Sequence, residues 1–343
     1  KNNYIGGLSL TQPLFTGGKI YYQYKINKDL EEISLEQYRL SEEEVLEKTE
    51  ELYYKVVTVR EKVVLAQKYT EMINSHLTDL NNMKEAELIT DNDVLKAKVK
   101  YNEAELNLYK AKNGLSLAKM ALNKMIGRSL QDDLIPADTL LTDNEYENNP
   151  MLNDGSSRSE IKVLQKVISV SNALVGIERS RYLPNIVLQS NYSYINPNPF
   201  NSFKTEFGDV WQISILGQWE LFHGNERGYK LSAAKHARKI AELKLDDARE
   251  MIQLDIEQAA LKLNESMKRI EMTDTGIRQA EDNLRVCNDK FKEGLISGSE
   301  VLDAQTLWTQ AVSSHIEAVS DYHLNQTKYK KALGLLTENK TGE

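Results

Sequence analysis

The sequence has one cysteine, six prolines, five histidines and no long apolar run, and each scarcity removes a class of function. Cys287, standing alone, excludes an internal disulfide and any cysteine-rich metal site. Its helical surroundings give it the reading of a small buried hydrophobe. The histidines are scattered and no His-Glu-x-x-His occurs, so no metal is expected. No stretch reaches the roughly 20 apolar residues of a membrane-spanning helix. Insertion by helix is thereby excluded, but a β-barrel is not, because its strands alternate and leave little hydropathy signal. A net charge of −8 argues against nucleic acid as the main partner. Gly17-Gly18-Lys19 lacks the spacing of a phosphate-binding loop. No nucleophile, base and oxyanion arrangement is legible, so the chain reads as a non-enzyme without a cofactor.

The prolines fall at 13, 136, 150, 184, 197 and 199, which leaves 14–135 and 200–343 free of them. Proline-free stretches rich in Glu, Lys, Leu, Ala and Gln predict long helices, here at about 20–87, 92–126, 159–182, 227–293 and 299–333. The breaks Glu87-Leu88-Ile89-Thr90-Asp91 and Gly294-Leu295-Ile296-Ser297-Gly298 are short turns that make antiparallel hairpins.

Two copies of one pattern lie 207 residues apart without a gap. Leu14-Phe15-Thr16-Gly17 returns as Leu221-Phe222-His223-Gly224, and Val94-Leu95-Lys96-Ala97 as Val301-Leu302-Asp303-Ala304. The period is too long for a solenoid unit and reads as an internal duplication. Upstream of Phe15 there are 14 residues, whereas the second copy is preceded by a helix-and-strand stretch from near Pro150. The expectation is that about 60 residues of a longer protein precede this chain, by analogy with the span from Pro150 to the second corner.

The helix after each tip turn repeats with 3-4 spacing: Val301, Ala304, Trp308, Ala311, His315, Ala318, Tyr322, Asn325, Tyr329 and Ala332. Its counterpart is Val94, Ala97, Tyr101, Ala104, Leu108, Ala111, Leu115, Ala118, Leu122 and Met125. This is the heptad signature, with alanine at most alternate positions so that two backbones approach closely. A helix over 227–293 would span roughly 100 Å and its returning partner about half that. A long helix paired with two shorter ones laid end to end would make a rod of that order. Between the helices, Trp211–Leu221, Tyr4–Leu14 and Ile186–Ile195 alternate apolar and polar as strands do. Such strands suit either a transmembrane barrel or a small sheet capping a soluble helical rod. Trp219, Trp211 and Tyr4 fit an interfacial belt or a strand core. Three strands close no barrel alone, so a barrel requires strands from further copies.

The chain resembles the outer-membrane efflux protein family, the TolC-like channel-tunnels. The residues that carry the resemblance are Gln12-Pro13-Leu14-Phe15-Thr16-Gly17-Gly18, similar to the family's strand-to-helix corner, and Tyr182-Leu183-Pro184-Asn185-Ile186, similar to its helix-to-strand entry. Phe291 to Ala304, with the Ala-rich helix that follows, is the strongest match. The resemblance implies a mainly α fold with a small β part: a long antiparallel coiled-coil helical barrel plus transmembrane β-barrel strands, internally duplicated and completed as a homotrimer. It implies a passive duct for drugs or other small molecules in the outer membrane of a Gram-negative bacterium, in contact with outer-membrane lipid, with its helices in the periplasm. The partners implied are a periplasmic adaptor and an inner-membrane RND or ABC pump. A duct for type I protein secretion has the same fold, and a soluble coiled-coil scaffold is the alternative from another class.

On this reading the chain divides into a first barrel strand (1–15), a first helical hairpin (16–127), an equatorial linker (128–158) and a short stacked helix (159–183). A barrel hairpin (184–222), a second helical hairpin (223–334) and a tail (335–343) follow. The strand-to-helix corners are carried by Pro13, Phe15, Gly17, Phe222 and Gly224. The resemblance makes the hairpin tips, Gly294, Leu295, Ile296 and Ser297 with Leu88, Ile89 and Thr90, the adaptor-docking sites. Exposed Leu and Ile at a turn support a binding patch, the alternative being a turn folded onto its own hairpin. Glu300 and Asp303 align with acidic positions that ring the family's constriction, and Asp93 is the first-copy equivalent of Glu300. Their plainer reading is helix capping at a positive dipole end, with Glu300 completing a capping box on Ser297. Some members hold the gate shut with an Arg where this chain has Ile296, so a closed-state latch must differ here.

Overall fold

The computed structural model describes residues 3–137, 155–198, 200–201 and 204–336. The expected linker over 128–158 and tail over 335–343 therefore lie largely outside the described residues. Three strands, β1 (Tyr4–Phe15), β2 (Asn185–Asn196) and β3 (Gly208–Gln218), accompany five helices. These are α1 (Lys19–Glu85), α2 (Asp91–Met125), α3 (Ser159–Ser180), α4 (Glu226–Lys292) and α5 (Gly298–Ala332). Every bound of α4 and α5 lies 207 residues after the corresponding bound of α1 and α2, and the lengths are 67 and 35 residues in both pairs. The helices match the periodicity reading to within two residues. The third strand does not: it begins earlier, at Gly208, and stops at Gln218, leaving Trp219 and Leu221 beyond it. Its last rung is Gln218 opposite Asn185, the first residue of β2, so no partner continues the ladder.

The chain forms two compact units, one from residues 1–40 and 157–250, the other from 41–156 and 251–343. In the first unit the strands form one antiparallel sheet in the order β1-β2-β3. Its register puts Leu8, Tyr192 and Trp211 in one row and Leu10, Ser190 and Ile213 in the next. The opposite face carries Ser9, Asn191 and Gln212, then Thr11, Gln189 and Ser214. The alternation read from single strands thus agrees across all three, because a pleat sends successive side chains to opposite faces. Leu8 is 78% exposed and Trp211 69%, so among the described residues nothing covers the apolar face at these positions. Tyr4 and Trp219 are exposed as well, which removes the strand-core reading for the three aromatic residues within this chain.

Also in this unit, α3 lies against the first part of α1. Gly176 sits under the Tyr22 ring, where a β-carbon would be 2.4 Å from it. Ser169 donates to the buried Asp29 carboxylate at 2.7 Å, and Lys166 pairs with Glu32.

The second unit is built on the predicted coiled-coil seams. All twenty seam positions are buried or half-buried, with Ala97, Ala104, Ala118, Ala304, Ala318 and Ala332 each buried. Val56 of α1 packs on Ala118 and Leu122 of α2. A second α5 seam, absent from the periodicity reading, buries Leu302, Gln305, Ile316, Val319, Ser320 and Thr327. This face meets α1 through largely polar pairs: Thr58 with Ser320 at 2.8 Å, Lys62 with Glu317 at 2.6 Å and Lys331 with Glu47 at 2.7 Å. His315 faces Thr273 at 3.0 Å, and burial lowers its pKa, as expected of a packing residue. Cys287 is only half-buried, which corrects its reading as a core hydrophobe.

Candidate functional site

The two hairpin tips have one backbone design. After α1, Glu87 N–H donates to the Lys84 carbonyl and Leu88 N–H to Met83, both at 2.9 Å. After α4, Gly294 donates to Phe291 and Leu295 to Lys290, again at 2.9 Å. This nested pair satisfies the last carbonyls of a helix and requires a left-handed residue between them. Gly294 has φ 72° and Glu87 φ 60°, so the glutamate adopts the glycine geometry despite its side chain. The tip turns therefore match in shape although their sequences differ at that position.

The structure divides the tip hydrophobics into two kinds. Leu88 and Leu295 point outward, 69% and 67% exposed. Ile89 and Ile296 instead pack onto the cluster of Ile73, Leu80, Val94, Phe291 and Val301. The docking patch expected from all four is therefore reduced to the two leucines, with Gly294, Ser297 and Thr90 exposed beside them. The isoleucines are covered because α1, α2, α4 and α5 converge at this end of the unit and supply the missing apolar surface.

Two of the acidic residues singled out from the sequence, Glu300 and Asp93, accept local hydrogen bonds. Glu300 accepts from the Ser297 backbone N–H and hydroxyl, both at 3.3 Å, completing the capping box. Asp93 accepts from the Thr90 hydroxyl at 2.9 Å and lies 3.8 Å from Lys96 Nζ. Asp303 is exposed and close enough to Lys100 of α2 to add to that lysine's raised pKa, whose main cause is the hydrogen bond to Glu103. Glu300 and Asp303, three residues apart, share one face of α5. They form the full acidic pair, which Lys96 interrupts in the first copy.

A cleft of 620 Å³ opens beside the tips, lined by His76, Asp79 and Leu88 from the first hairpin and by Asn288, Phe291 and Gln305 from the second. The buried His76 ring meets Phe291 edge-on at 4.9 Å, and its Nε2 lies 3.0 Å from the Gly298 carbonyl. A carbonyl only accepts, so Nε2 carries the proton. Burial lowers the His76 pKa, with Asp79 partly opposing the shift. Gly298 is glycine for steric reasons, since a β-carbon would be 2.8 Å from Leu80 Cδ2 and 3.3 Å from His76 Nε2. Neither His76 nor its contact with Gly298 was singled out from the sequence, because a histidine 222 residues from a glycine leaves no local pattern. No group of three or more His, Cys, Asp or Glu with metal-holding geometry occurs among the described residues.

The strand-to-helix corners form a second matched pair. Gly17 and Gly18 have positive φ, as do Gly224 and Asn225. Lys19 N–H donates to Thr16 and Glu226 N–H to His223, at 3.1 and 3.0 Å. Phe15 ends β1 after a bulge that follows Pro13, whereas Phe222 lies outside any strand and is exposed. A β-carbon at Gly17 would be 2.7 Å from the Ser180 carbonyl, while Gly224 has open space around it. Beside the second corner, Trp219 Nε1 donates to the Tyr182 carbonyl at 3.1 Å and Arg227 lies over the Tyr182 ring.

Comparison with known proteins gives a consistent result. The family model described as "Outer membrane efflux protein" matches residues 156–335. Outer membrane protein TolC of Escherichia coli (strain K12) is 22% identical over 344 residues, covering 96% of this chain and 69% of TolC. Among solved structures, CusC superposes with a TM-score of 0.86 at 15% identity, covering 97% of this chain and 78% of that one. VceC from Vibrio cholerae gives 0.81 at 16% identity, covering 97% and 87%. At these identities the structural likeness speaks for the fold.

Proposed function

Because the chain belongs to the outer membrane efflux protein family, we propose that it is one subunit of a trimeric duct carrying drugs or other small molecules outward. The sheet crosses the outer membrane and the helical hairpins lie in the periplasm. A periplasmic adaptor docks at the tips, and an inner-membrane RND or ABC pump supplies the energy. The observation that carries this reading is the sheet. Its apolar face, with rows such as Leu8–Tyr192–Trp211, is uncovered, and its two outer strands have one unpaired edge each. An open apolar sheet is an aggregation hazard in water, whereas lipid on that face and strands from further copies at both edges remove the hazard.

No covalent chemistry is required of such a duct, and the acidic pair on α5 acts through its field. Glu300 and Asp303 from three subunits form a collar at a narrow point of the lumen, where low-dielectric walls strengthen attraction for cations. Opening separates the tip hairpins and widens the collar. The test is conductance of the detergent-purified protein in planar bilayers. Wild type is expected to conduct in single uniform steps, one per trimer, and Glu300→Ala with Asp303→Ala to raise conductance and weaken block by multivalent cations. A monomer, soluble without detergent and without conductance, overturns the duct; unchanged block removes the collar.

A further inference from the structure

The cleft beside the tips holds polar side chains that neither the duct nor the helix packing employs. It lies within the second unit, between α1, the end of α4 and the start of α5, and its 620 Å³ is in the range of small-molecule sites. Its α1 wall, from Met72 to Met83, runs for about 16 Å.

Gln305 of α5 lines this cleft at 4% exposure, and its Oε1 has no hydrogen-bond partner among the described residues. A buried acceptor left without a donor is costly. The last torsion of a glutamine is soft, so a donor arriving in the cleft can reach that oxygen. Nearer the tips, Asp79 of α1 is exposed and forms no hydrogen bond or ion pair among the described residues. Its carboxylate is within electrostatic reach of the His76 ring, whose pKa it raises against the effect of burial. His76 brings no spare donor, because Nε2–H is committed to the Gly298 carbonyl and Nδ1 of the neutral ring is an acceptor. Asn82 and Asn288 offer groups of both kinds and decide nothing. The unmet capacity of the cleft is therefore acceptor capacity. Lys292 also lines it, but this residue is exposed and its long stem lets the ammonium stay in water.

The two acceptors stand at opposite ends. Thr306, next to Gln305, meets Tyr69 of α1 at 3.1 Å, and Asp79 lies ten residues further along α1 towards the tips. Met72, Leu284 and Phe291 provide apolar wall between them, and flexible thioethers such as that of Met72 adapt to a ligand's shape. The 207-residue repeat does not reproduce these groups: His76, Asp79 and Gln305 correspond to Asn283, Val286 and Lys98. The cleft chemistry is thus a departure from the repeat and not a by-product of the hairpin design.

We propose that this cleft binds a small elongated organic cation, an arylalkyl amine in its ammonium form. The ammonium donates to Asp79, the aryl ring lies against Phe291 and Met72, and a second donor at the far end reaches Gln305. An anionic ligand would face the Asp79 carboxylate and leave the Gln305 oxygen unmet. The site does not depend on the duct, since every group in it belongs to one chain.

Isothermal titration of the detergent-purified full-length protein with tyramine tests the site, at about pH 7.5, where the amine is charged. Tyramine is expected to bind once per chain. Tyrosol, with a hydroxyl in place of the ammonium, and 4-hydroxyphenylacetate, with a carboxylate there, are expected to bind more weakly by about tenfold or more. Asp79→Asn is expected to lose about tenfold in tyramine affinity and Gln305→Leu about threefold. Glu257 is an exposed carboxylate about 50 Å along α4 from Phe291, and Glu257→Gln is expected to bind as wild type does. Thermal melts without ligand check that each variant is folded, and the ligand series needs no variant. Equal affinity of wild type and a folded Asp79→Asn, or of tyramine and 4-hydroxyphenylacetate, overturns the cation site. Absence of saturable binding up to about 10 mM tyramine does so too. None of these outcomes bears on conductance, which tests the duct separately.

Discussion

Glu87 holds a backbone that its counterpart Gly294 adopts without a β-carbon. For a residue with a side chain the left-handed conformation costs about 1–2 kcal/mol. Glu87→Gly is therefore expected to stabilise the hairpin by about 1 kcal/mol, less the backbone entropy that glycine loses on folding. Gly294→Ala is expected to lose about 1 kcal/mol by the same strain. Chemical denaturation of both variants checks the pair, and a destabilising Glu87→Gly sinks the strain argument. His76 is a residue of another kind, fixed by what surrounds it. Burial holds its pKa below the ordinary 6.5, so the unfolded chain takes up the proton first as pH falls. The stability it contributes is full above that value and is lost as pH falls from about 6.5 through the lower folded pKa, at up to about 1.4 kcal/mol per pH unit. His315 shifts in the same direction and adds to the slope. His76→Gln is expected to flatten the acid side of the stability curve, measured by thermal melts at about pH 7.5 and 5.5. An unchanged slope would place the acid sensitivity elsewhere.

Elements of equal length behave differently because their neighbours differ. Helices α2 and α5 have 35 residues each and the same seam spacing, yet six residues are buried in α2 and twelve in α5. The excess belongs to the face of α5 that α1 covers. Periodicity showed the seam within each hairpin because one alanine-rich stripe dominates it. The second stripe, with Gln305, Ser320 and Thr327 among its buried members, is too polar to stand out as a hydrophobic repeat. Gly298 lies at the head of that stripe. Its replacement by Val puts branched carbon where even a β-carbon is 2.8 Å from Leu80. Overpacking of this kind costs about 1–3 kcal/mol, and Gly298→Val is expected to lower the melting temperature. The same change at Gly276, with nothing within 4 Å of its β-carbon, is expected to cost less than half as much. Equal losses would mean helix propensity and not packing sets the cost.

At the scale of the whole molecule, the proposed function rests on surfaces exposed among the described residues: an apolar sheet face and two leucines at the tips. On the proposed docking at the tips, Leu295→Arg is expected to reduce crosslinking to a periplasmic adaptor while the proposed trimer persists. Loss of the trimer would make Leu295 a structural residue. Helices, strands, tip turns and corners were legible in the sequence because each is governed by interactions between residues a few positions apart. Heptad spacing, proline placement, period-2 alternation and capping signatures all belong to that class. Tertiary structure alone decided that Ile89 and Ile296 turn inward while Leu88 and Leu295 stay out. It also decided that His76 is buried on Gly298. Those outcomes depend on which surfaces meet across more than 200 residues of chain, and a local pattern holds no record of a neighbour that far away.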